Sequence, residues 1–175
     1  MKKTINISSI GVLFLSVFSF AFSGILNEET GWNYQQSTFQ AFYMLESAQV
    51  DGVTVESGDV IGAFKDGLCV GWVYADPDGY TTIPIMGDDG SEYSFGYLLN
   101  DEVAELRIYD ATYGSILNVT AGDTIPGWAN NEIFIINGTA YANNTFGCSD
   151  ASACNYDSGA TADDGSCWSS NDGCT

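Results

Sequence analysis

Between positions 38 and 140 short apolar blocks are punctuated by Gly, Asp and Asn at intervals of about ten residues. That is the rhythm of an antiparallel all-β domain, and almost no helix is expected in it. The chain is therefore expected to be all-β: an antiparallel β-sandwich of about eight strands, with a closed barrel as the alternative. Strands are expected at 38–45, 53–55, 59–64, 68–74, 80–85, 93–99, 104–109, 115–119 and 132–137. Asp66-Gly67 between two β-rich blocks supplies the positive-φ residue of a tight hairpin. Gly62 and Gly71 mark bulges or a close approach of backbones, and Pro84 places its strand at an edge or a bulge.

Lys2 and Lys3, the apolar stretch 10–22 and the small residues of Ala21-Phe22-Ser23 have the form of a secretory signal over 1–23. The mature chain is then secreted or held at the cell surface, with no membrane insertion after cleavage. Beyond the signal, 23 acidic residues face only Lys65 and Arg107, which makes nucleic acid and anionic membranes poor partners. The chain has no histidine, which removes Ser-His-Asp and Cys-His catalysis and the commonest general base. No Asp or Glu stands in a context that would raise one pKa above that of a partner, so no enzyme is expected.

From 147 onward the composition changes. Cys148, Cys154 and Cys167 sit among small oxygen-bearing residues, in a segment too short to bury a core of its own. Gly173-Cys174-Thr175 restates Gly147-Cys148-Ser149, so a second repeat unit is expected to begin there. The organisation expected is a signal at 1–23, a sandwich at 24–146 and a loop-like, disulfide-rich repeat at 147–175. Four cysteines, Cys148, Cys154, Cys167 and Cys174, allow three pairings among themselves and leave Cys69 as a buried thiol in an apolar strand. Asp150, Asn155, Asp157, Asp163 and Asp164 offer oxygens of the kind calcium takes. A standard EF-hand is ruled out, since Ala160 and Ser166 fall where Gly and a bidentate Glu are required.

The loops Asp76-Pro77-Asp78-Gly79 and Gly87-Asp88-Asp89-Gly90 read first as turns and only second as cation sites. Of the many aromatics, Trp32, Trp72 and Trp128 are the first candidates for stacking on a sugar ring. Triplets beginning at Asn118, Asn137 and Asn143 match the N-glycosylation acceptor and imply only surface exposure.

Gly147-Cys148-Ser149-Asp150 through Cys154-Asn155-Tyr156-Asp157 to Asp163-Asp164-Gly165-Ser166-Cys167 resembles the cysteine- and aspartate-rich tandem repeats of large secreted bacterial proteins that use type IX secretion. That resemblance implies a calcium-stabilised, cross-linked spacer, with Cys148, Cys154 and Cys167 for cross-links and the five Asp and Asn residues for metal. Gly58-Asp59-Val60-Ile61-Gly62-Ala63-Phe64 and Gly67-Leu68-Cys69-Val70-Gly71 are loosely similar to cohesin-like and carbohydrate-binding sandwich modules. The function expected is that of a non-catalytic surface, adhesion or matrix module contacting an extracellular glycan or surface protein. The alternatives are a protomer that self-associates into an extracellular fibre and an accessory module of a larger secreted hydrolase.

Overall fold

The computed structural model describes residues 24–169, so the expected signal and Cys174 lie outside the described residues. The described chain is all-β, with twelve strands and no helix. In chain order these are β1 (Ile25–Leu26), β2 (Asn33–Tyr34), β3 (Gln40–Val50), β4 (Val53–Thr54), β5 (Val60–Lys65), β6 (Leu68–Tyr74), β7 (Thr81–Met86), β8 (Glu105–Asp110), β9 (Ser115–Asn118), β10 (Ile133–Ala142), β11 (Phe146–Gly147) and β12 (Ala162–Asp163).

Two sheets form the sandwich. The front sheet is β10-β3 with β7 and β4 both paired to β3, and the back sheet runs β6-β5-β8-β9. Alternation along the first half of β3 turns Ala41, Tyr43 and Leu45 inward, beside Ile83 and Ile85 of β7. They meet Ile61, Ala63, Leu106, Ile108 and Leu117 of the back sheet in one buried cluster. β5 is buried along nearly its whole length, as its unbroken apolar run requires. Its outer side lies beneath Trp32, edge-on to Phe64 at 5.1 Å, and beneath the Arg107 guanidinium, 4.3 Å above the Phe64 ring.

The Asp66-Gly67 hairpin forms as expected, with φ of 49° and 83° and Lys65 opposite Leu68. Gly62 and Gly71 are both close approaches: a Cβ on Gly62 would meet the Trp32 ring at 2.7 Å, and one on Gly71 would fall 1.7 Å from the Pro84 carbonyl oxygen. The β5–β6 register shifts between Ala63 and Phe64, leaving Val70 as the extra residue. Pro84 lies on β7, whose only strand partner among the described residues is β3.

Two expectations change. Residues 93–99 are not a strand but a run of turns with one isolated bridge, Gly87 to Leu98. The cause is Asp89, whose carboxylate takes hydrogen bonds from Ser91 and Ser94 and winds the segment on itself, while Gly96 adopts φ 87°. The last long strand, β10, runs parallel to β3 rather than antiparallel, reaching it after the long connection from β9. A bulge at Asn137-Gly138 allows β10 to continue to Ala142, and the Gly138 N–H donates to Glu46 Oε2 at 2.6 Å.

Candidate functional site

Where β10 leaves the front sheet, a single side chain ties three parts of the molecule together. The Asp51-Gly52 turn, with φ of 52° and 78°, closes the β3–β4 hairpin and presents the Asp51 carboxylate. Asn144 lays its backbone N–H on Asp51 Oδ1 at 2.8 Å and its Nδ2 on Asp51 Oδ2 at 2.9 Å. The same Nδ2 donates to Asp110 Oδ2 at 2.9 Å, at the end of β8. Asn144 Oδ1 accepts from Ser115 Oγ of β9 at 2.7 Å and from Thr161 Oγ1 of the tail at 3.2 Å. One amide thus joins the front sheet, the back sheet and the cysteine-rich tail, with every hydrogen-bonding capacity used.

Beside this clasp lies a cleft of about 310 Å³. Its floor is apolar and carboxylate together: Val50, Val55, Asp59 and Asp110 are buried. Its rim carries Asp51, Val53, Thr54, Glu56, Thr112 and Tyr113, and Phe146 of β11 closes the tail side. Tyr113 and Phe146 meet edge to face at 5.2 Å. The floor carboxylates already have donors: Asp59 accepts from Glu56 N–H at 2.8 Å and Ala111 N–H at 2.9 Å, and Asp110 from Thr112 N–H at 2.9 Å. Among the described residues no lysine or arginine lines the cleft. Lys65 pairs with Glu102, and Arg107 reaches Glu105 at 3.4 Å, so both are engaged elsewhere.

In the tail, β11 and β12 pair in parallel and Cys148 is joined to Cys167, with Cys148 itself buried. Cys154 is also disulfide-bonded. Cys69 is a free, buried thiol, which burial pushes up to about 11. The five expected metal ligands occupy consecutive turns of the tail. Asp150 Oδ1 accepts from Ser152, Asp157 Oδ1 from Gly159, Asp163 Oδ1 from Gly165 and Asp164 Oδ1 from Ser166, all at 2.7–3.0 Å. The Ser152 and Ser166 bonds hold the Asp150 and Asp164 carboxyls below their ordinary range. Asn155 is a strut, donating to the Ser166 carbonyl at 2.8 Å and accepting from Trp168 N–H at 2.9 Å. Among the described residues no three His, Cys, Asp or Glu side chains converge as a metal site. The loops at Asp76 and Asp88 are turns, with Asp76 accepting from Asp78 N–H and Asp88 from Gly90 N–H.

The three tryptophans part company. Trp32 and Trp128 are buried, the latter lying over Gly87 with its Nε1 on the Ile85 carbonyl at 3.0 Å, so neither presents a ring face to a sugar. Trp72 is half-buried, edge-on to the exposed Tyr74 at 5.7 Å, with its Nε1 on the Ile25 carbonyl. Sequence reasoning missed Asn144 and the cleft, because Asn143-Asn144-Thr145 reads locally as no more than a polar triplet. Comparison with known proteins finds no matching family model, no matching curated sequence and no matching solved structure.

Proposed function

We propose that this chain is a secreted, non-catalytic contact module that engages a partner protein through the junction cleft, with its disulfide-linked tail fixing one wall of that cleft. The observation that carries this reading is the lining: four carboxylates, an aromatic pair and aliphatic walls, with no basic group among them. Such a lining suits a lysine or arginine side chain, whose charge meets the acidic rim while its methylene stem lies along valine and aromatic surface. The buried carboxylates are held by backbone donors, which fits a fixed electrostatic floor rather than a proton shuttle. A sugar has less to gain here, since the tryptophans lie elsewhere. Calcium belongs to the same reading as a stiffener of the tail, on the strength of its Asp and Asn supply.

Two titrations test it. With the full chain, Nα-acetyl-lysine methylamide should shift amide resonances of Val53, Thr54, Tyr113 and Phe146, and the Nε-acetylated, neutral analogue should not. Glu56→Gln with Tyr113→Ala should abolish the response. Shifts spread evenly over all acidic loops would instead show unspecific charge attraction and overturn the cleft. For the tail, calorimetry in millimolar calcium should show uptake, and its absence would remove the metal from the reading.

A further inference from the structure

We propose that the N-terminal half of β10 is a self-recognition edge, pairing antiparallel with the same segment of a second copy of this chain. The orientation of its backbone follows from one bond: Phe42 N–H donates to the Glu132 carbonyl at 3.0 Å, in a parallel ladder where Ile133 stands opposite Phe42. Even-numbered residues 132, 134 and 136 therefore turn their backbone groups toward β3, and Ile133 and Ile135 turn theirs to the outer edge. Farther along, that edge is closed, because Tyr141 exchanges bonds with Thr120 at 2.8 and 2.9 Å. Over Ile133–Ile136 no other strand among the described residues flanks it.

The open stretch lacks the usual protections of an edge strand. β10 contains neither a charge nor a proline, in a chain with 23 acidic residues, and the side chains of Ile133 and Ile135 are 64% and 55% exposed. They continue two outward rows of the front sheet: Pro84, Phe42 and Ile133 in one, Thr82, Met44 and Ile135 in the next.

The occupant follows from self-complementarity. A two-fold axis through Phe134 sets Ile133 against Ile135 of the second copy. Both residues have outward-facing backbone groups, so each such pair exchanges both of its N–H···O=C bonds. The isoleucines pack against one another on the same face, and Glu132 falls opposite Ile136 rather than opposite its own counterpart. A two-fold contact of this kind closes on itself, giving a dimer and not a fibre. Both copies are strongly acidic, so the association strengthens as salt screens their repulsion.

Sedimentation equilibrium of the full chain, from about 10 µM to about 1 mM in low and high salt, should show a monomer–dimer equilibrium that shifts at least several-fold toward dimer in high salt. Ile135→Pro removes only an outward N–H, so it should leave the far-ultraviolet spectrum intact and eliminate the dimer. The double variant Ile133→Lys/Ile135→Lys keeps the backbone donors and should do the same by charge, and it decides the matter if the proline variant does not fold. A monomer at every concentration and salt, or a dimer that persists in the folded variants, overturns the proposal.

Discussion

Asn144 Nδ2 donates to Asp110 Oδ2 at 2.9 Å, and this bond fixes the end of the back sheet to the segment that leads into the tail. Asp110 is 4% exposed, so its carboxylate depends on protein donors rather than on water. Asn144→Ala should cost about 3 kcal/mol in urea unfolding, because it strands a buried acceptor as well as removing bonds. Asn144→Asp should be worse near neutral pH, since it sets a third carboxylate between Asp51 and Asp110. Part of that loss should be recovered as the pH is lowered and the new group takes a proton.

The Cys148–Cys167 link spans 19 residues of a segment whose own buried apolar residues are small. A cross-link over a loop of that length is worth about 3 kcal/mol through the entropy of the open chain. Reduction, or Cys148→Ser with Cys167→Ser, should therefore loosen the tail selectively. Limited proteolysis is expected to cut between 149 and 166 in the reduced protein while 24–142 stays resistant. A tail equally resistant after reduction would mean that the contacts through Thr161 and Phe146 suffice.

Much of the sandwich was legible because its signals are local. Alternation in β3, the Asp66-Gly67 turn and the unbroken apolar run of β5 each dictate their structure within a few residues. What escaped was non-local. Residues 93–99 are rich in aromatics and read as strand until Asp89 captures Ser91 and Ser94. The parallel register of β10 depends on a connection that no short window shows. The orientation of Trp32 and Trp128 follows from glycines far along the chain, Gly62 and Gly87, that make room for their rings. The cleft is assembled from three separate stretches, 50–59, 110–113 and Phe146, so its chemistry exists only after folding.

Gly71 has the tightest surroundings of the described glycines, with the Pro84 carbonyl oxygen where a side chain would begin. The obstacle is backbone and cannot swing aside. Gly71→Ala should destabilise by about 3 kcal/mol, at the upper end for overpacking, or prevent folding. Gly62→Ala meets only side-chain rings, and should cost less in the same thermal unfolding measurement.

Asp89 holds the loop after β7 to the start of β3, accepting from Thr38 N–H at 3.0 Å and Thr38 Oγ1 at 2.7 Å. Hydrogen bonds from Ser91, then Ser94, then Thr38 hold its carboxyl well below the ordinary value of 3.8. A lowered folded value means that the clasp contributes fully above 3.8 and is lost as pH falls through the folded value. The Thr38 amide should stay protected from hydrogen exchange well into acid in the native protein. In Asp89→Asn that protection should be weak at every pH.

Cys69 gives the opposite slope. Burial raises its thiol from 9.0 to about 11, so the folded protein holds the proton where the unfolded chain releases it. The sign is that of a raised group: its contribution is complete below 9.0 and falls as pH rises through about 11. Iodoacetamide at pH 8 should leave Cys69 unlabelled in the native state and label it readily in urea. Between pH 9 and 11 the native protein should lose about 2 kcal/mol relative to Cys69→Ala, one pKa unit being worth about 1.4 kcal/mol. Parallel stability profiles for the two proteins across that window would show that the Cys69 thiol titrates alike folded and unfolded.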